Sequence, residues 1–79
     1  MKILNEKSLG WLPDEPNHDK DDYELFMGIA DFNGVHVPYT REQTITDKDE
    51  DGNLYFTDFV FVDKEYEDYW ETLDNWFNS

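Results

Sequence analysis

From Tyr23 onward, apolar and polar positions alternate with a period of two, as in a half-buried strand. Tyr23, Leu25, Met27 and Ile29 fall on one side, and Phe26, Gly28, Ala30 and Phe32 on the other. Asn33-Gly34 follows between two apolar runs. Both residues tolerate the positive φ angles of a type I′ turn, so the dipeptide predicts a hairpin. The return strand, Val35 to about Ile45, places Val35, Val37, Tyr39 and Ile45 on one face. Pro38 has no N–H to donate and predicts an edge strand or a bulge here. A third strand is expected at Leu54–Val62, where LYFTDFVFV is rich in aromatic and β-branched residues.

The period then changes. At 100° per residue Tyr66, Tyr69, Trp70, Leu73, Trp76 and Phe77 share one stripe, while Glu67, Asp68, Glu71 and Asp74 take the opposite side. This predicts an amphipathic helix over 63–78, with Asp63 as its N-cap. Residues 1–12 have apolar positions without a period, and 13–22 (PDEPNHDKDD) read as an acidic loop. The expectation is one α+β domain over 1–79: an irregular segment at 1–22, a three-stranded antiparallel meander at 23–62, and one C-terminal helix packed on one face. One helix covers only one side of such a sheet. The other is expected to be covered by residues 1–12, with a second copy or a target as the alternatives.

Composition changes this picture in two ways. With 79 residues and no cysteine, a small core must hold without disulfides or thiolate zinc, and fourteen aromatic residues supply it. The balance of 20 acidic to 6 basic residues gives a net charge of −14, which repels nucleic acid and anionic membranes and favours a basic partner. No apolar run is long enough for a secretory signal or a membrane span, so a cytoplasmic location is expected.

Acidity also serves solubility, but the helix shows more than that. Glu67–Glu71, Asp68–Glu71 and Glu71–Asp74 stand three or four residues apart, where like charges cost about 0.2–0.5 kcal/mol per pair. Asp74 lies in the last turn, where the helix dipole disfavours an anion. Fourteen charges match those of about 24 Å of duplex DNA, in a domain expected to be about 30 Å across. In size, charge, aromatic content and lack of cysteine the chain resembles the small acidic DNA mimics often encoded by phages. These include anti-restriction proteins, inhibitors of uracil-DNA glycosylase and some anti-CRISPR proteins. The resemblance implies a cytoplasmic inhibitor that blocks a basic DNA- or RNA-binding site, carboxylates standing in for phosphates. The partner would be a basic nucleic-acid-binding protein. The candidate contacts are Asp47, Asp49, Glu50 and Asp51 on a loop and Glu67, Asp68, Glu71 and Asp74 on the helix. An immunity protein or antitoxin against a basic nuclease fits the same features, and a homodimer through an uncovered sheet face is a further expectation.

The loop from Asp47 to Asp58 also follows much of a twelve-residue calcium loop. Asp47, Asp49, Asp51 and Asp58 hold positions 1, 3, 5 and 12, and Gly52 holds position 6. Asp58 is shorter than the usual Glu, and the flanks read as strands. A hairpin turn built on Asp51-Gly52-Asn53 is therefore the simpler expectation. Nothing matches a nucleophile elbow, a P-loop, a dinucleotide turn or zinc spacing. His18 and His36 read as surface residues. No enzymatic activity and no cofactor are expected.

Overall fold

The computed structural model describes residues 1–12 and 23–78. They form strands β1 (Lys2–Leu12), β2 (Tyr23–Phe32), β3 (Val35–Lys48) and β4 (Leu54–Val62). A 3-10 segment (Lys64–Tyr69) and helix α1 (Trp70–Asn78) follow. The sheet is antiparallel in the order β1-β2-β3-β4. The turn between β2 and β3 forms as its chemistry demands, with Asn33 and Gly34 both at positive φ (54° and 98°).

The sheet has four strands, not the expected three. Residues 2–12 are a full edge strand rather than an irregular segment, and they do not cover the second face. Two register shifts, between Ile3 and Asn5 and between Ser8 and Gly10, explain why no period was visible. Each bulge inserts one residue and exchanges the faces of all that follow. Ile3, Glu6 and Ser8 therefore pair with Ala30, Gly28 and Phe26 on one face, while Asn5 and Lys7 pair with Ile29 and Met27 on the other. Gly10, at φ 104°, accommodates the second bulge.

Pro38 lies on β3, a central strand, which corrects the expectation of an edge strand or bulge there. It pairs with Ile29 of β2, but β4 ends at Val62 opposite Tyr39. At Pro38, β3 has a neighbour on one side only, so the strand is locally an edge where it lacks an N–H.

The C-terminal segment also departs from a single helix over 63–78. Residues 64–69 take the tighter 3-10 form, and Tyr66 has non-helical angles (φ −112°, ψ 15°). Three residues per turn align Tyr66 with Tyr69, and both pack on the core. Asp63 stands at the N-cap position, yet its side chain makes no cap hydrogen bond; its backbone oxygen accepts from Tyr66 N–H at 2.8 Å. The core is Ala30, Val37, Tyr39, Val60 and Leu73, flanked by Ile3, Phe32, Val62, Tyr66, Tyr69 and Phe77. Trp70 and Trp76, expected on the inner stripe, stay 41% and 55% exposed.

Helix α1 secures the outer edge of β4. The Trp70 indole N–H donates to Val60 O at 2.7 Å. The Asn78 amide accepts from Asp58 N–H and donates to Asp58 O, both at 2.8 Å, in the manner of a neighbouring strand. Part of an otherwise free sheet edge is thereby closed. The second face has no cover among the described residues. Phe59 and Phe61 are about half exposed there, beside Leu25, Met27, Ile29 and Pro38.

Candidate protein-binding surface

The carboxylates divide into two sets, and the first is structural. Val35, Val37, Tyr39 and Arg41 share the helix-covered face of β3, so a guanidinium stands at the end of an apolar row. Arg41 is buried and needs partners. It donates from Nε and Nη2 to both oxygens of Glu6 (3.0 and 2.9 Å), and from Nη1 to Asp58 (2.6 Å). The rings of Phe26 and Phe77 lie 4.0 and 4.5 Å from its central carbon. The Tyr39 hydroxyl donates to Glu6 as well.

Gly28 makes this arrangement possible. A Cβ at this position would lie 2.6 Å from both Asn5 O and the Tyr39 hydroxyl. Only glycine lets the tyrosine ring cross β2 to reach Glu6 on β1.

Burial acts to raise the Glu6 pKa, but hydrogen bonds from Arg41 and Tyr39 and the Arg41 charge outweigh it and hold the group below its ordinary value. Burial, reinforced by the Glu6 carboxylate, pushes the Tyr39 phenol up. Burial opposes the Arg41 charge, but both carboxylate partners raise its pKa and keep it cationic.

The second set is exposed and lies along the β4 side. Among the described residues, ten carboxylates besides Asp58 lie between Asp47 and Asp74, with Lys48 and Lys64 the only cations in that stretch. Glu67, Asp68 and Glu71 are exposed, as are Asp63 and Glu65. Asp74 is half-buried and accepts from the Asn78 amide at 3.0 Å. At the other end of β4, Asp47, Glu50 and Asp51 are exposed. Asp49 builds the turn: its carboxylate accepts from the N–H groups of Asp51 and Asn53 (both 2.9 Å), the Asn53 amide (3.0 Å) and the Tyr55 hydroxyl (3.3 Å). The Asn53 bonds lead in lowering its pKa.

The helix acids and the loop acids do not form one compact patch. They flank the two ends of β4, about 30 Å apart for nine residues, with Glu71 and Asp74 on the helix that runs back between them. The opposite edge, β1, carries Lys2 and Lys7. Among the described residues the carboxylates are densest along this side of a molecule whose extents are 43 × 25 × 19 Å, while Glu24, Asp31 and Glu42 lie elsewhere on the sheet.

The calcium set is not assembled. Asp58 bonds Arg41 on the strand and Asp49 organises its own turn. Among the described residues, no three His, Asp or Glu side chains converge on a point that could hold a metal ion. His36 is exposed, 4.0 Å from Asp31; His18 and the acidic loop lie outside the described residues.

The Arg41 cluster is absent from the sequence-based site. Its signal was available, because a lone arginine in register with Val35, Val37 and Tyr39 implies buried partners. The identity of those partners was hidden by the β1 bulges. In comparisons with known proteins, no family model, curated protein or solved structure matches the chain.

Proposed function

We propose that the protein is an acidic inhibitor that occupies the basic nucleic-acid-binding site of a target protein. The observation that carries this reading is the row of exposed carboxylates along the β4 side, from Asp47 to Asp74, on a molecule whose opposite edge carries lysines. Its ten carboxylates correspond to the charge of about 17 Å of duplex. Glu67, Asp68 and Glu71 supply its best-exposed helical part, and Asp47, Glu50 and Asp51 the far end. Exposed Trp70 and Trp76 lie among the helix acids and offer the apolar contacts that convert steering into affinity. Asp49 and Asp74 hold their local structure and contribute charge from there.

The test is capture of basic nucleic-acid-binding proteins on the immobilised chain, with elution by a salt gradient and competition by duplex DNA. Binding should fall steeply with salt, duplex DNA should displace the captured protein, and Glu67→Lys/Glu71→Lys should abolish capture while remaining folded. Capture unaffected by that double variant, or by DNA, would exclude this surface as the site.

A further inference from the structure

We infer that the uncovered sheet face joins two copies of this chain in a face-to-face dimer. This inference does not rest on the proposed function, although Asp63 borders both surfaces.

Three observations favour a second copy as the occupant. The first is charge. The chain as a whole carries 20 acidic residues against 6 basic ones. By strand register, the body of this face carries Lys2, Lys7, Asp31, Glu42 and Asp47, and Asp63 stands at its rim. Two cations against four anions is a smaller acidic excess than that of the chain as a whole, so among the described surfaces this is one that a second strongly negative molecule can approach.

The second is shape. The face holds a hollow of about 520 Å³ lined by Lys7, Met27, Ile29, Pro38, Phe61 and Asp63, among others. Phe59 and Phe61 stand beside it at 48% and 50% exposure. The hollow and these half-exposed rings give the face apolar surface for a second copy to cover.

The third is extent. The strands are staggered, β3 pairing with β2 over 35–44 and with β4 over 39–48, so about 500 Å² of each sheet meets the second copy and about 1,000 Å² leaves water, the minimum for a specific association. Packed sheets lie about 10 Å apart in near alignment. A two-fold axis along the strands lays β1 of one copy over β4 of the other. Lys7, Met27, Thr40 and Phe61 share one row across the sheet. This axis therefore sets Lys7 against Phe61 and near Asp63 of the second copy.

Sedimentation across protein concentrations, at low and at about 0.5 M salt, tests the arrangement. A reversible dimer is expected, and it should tighten as salt screens the repulsion between two acidic bodies. That trend is opposite in sign to the one expected for a basic target, so either reading can fail without the other. Lys7→Glu should weaken dimerisation at least tenfold, Lys7→Glu/Asp63→Lys should restore it, and Phe61→Glu should abolish it. The Asp63 side chain caps nothing and Lys7 is exposed, so these changes leave the fold intact. A monomer at every concentration in high salt overturns the inference. So does a dimer indifferent to both Lys7→Glu and Phe61→Glu, since it would have formed through another surface such as the β1 edge.

Discussion

Glu6 and Asp58 belong to the same acidic chain as Glu67 and Glu71, yet the two pairs do different work. Glu6 and Asp58 are held by a buried guanidinium between two aromatic rings and join strands β1, β3 and β4. Glu67 and Glu71 are exposed on the outer side of the helical segment, in no ion pair with a described residue. Charge counted along a sequence treats all four alike. Burial separates them: a carboxylate removed from water needs a cation and hydrogen bonds, whereas one left in water is available to a partner.

The largest expected effect comes from removing the cation. Arg41→Met keeps a long apolar stem between Phe26 and Phe77 but leaves Glu6 and Asp58 without their counter-charge. Losing one partner of a buried pair costs about 3–5 kcal/mol, a large fraction of the stability of a domain this small, about 4–12 kcal/mol. Urea denaturation measures the loss. Adding Glu6→Gln and Asp58→Asn to Arg41→Met should recover a good part of it. Equal stability of the single and triple variants would mean that the guanidinium acts through packing rather than charge.

A smaller effect is expected from Gly28→Ala, which leaves every charged group in place. The added methyl meets a backbone oxygen on one side and the Tyr39 hydroxyl on the other, so β1 or Tyr39 must move. A cost of about 1–3 kcal/mol follows from such overpacking. Thermal unfolding of Gly28→Ala in wild-type and Tyr39→Phe backgrounds should show the two changes to be non-additive.

The smallest effect is the response to pH, and its sign follows from the buried cluster. Glu6 has a folded pKa below its ordinary value of 4.5. Its contribution is therefore complete above about pH 4.5 and is lost as pH falls through the folded value. Tyr39 shifts the other way from 10, so its contribution holds below pH 10 and declines above it. Unfolding free energies measured from pH 6 down to pH 3 should fall less steeply for Glu6→Gln than for the wild type.

The sequence-based reading succeeded where a single local rule acts. Asn33-Gly34 forms its turn because both residues accept positive φ, and the faces of β2 and β3 follow from alternation. It failed where a strand breaks its own period. Leu4 and Leu9 sit at the two register shifts of β1, so the apolar positions of 1–12 look random in one dimension although the strand is continuous in three. The helix was legible in kind but not in pitch, because Tyr66 and Tyr69 pack in a three-residue repeat. The eight acids proposed as contacts were visible in the sequence. Their division into turn-building Asp49, tethered Asp74 and freely exposed Glu67, Asp68 and Glu71 was not.

Local chemistry by itself determined the hairpin, the strand-rich middle, the helical end and the sign of the charge, because turn geometry and side-chain alternation are properties of neighbouring residues. Tertiary structure decided that residues 2–12 pair as a fourth strand, that Arg41 meets Glu6 and Asp58 from 35 and 17 positions away, and that one sheet face has no cover among the described residues. These are contacts between distant segments. Their stability depends on which groups leave water together, and that is known only once the strands are assembled.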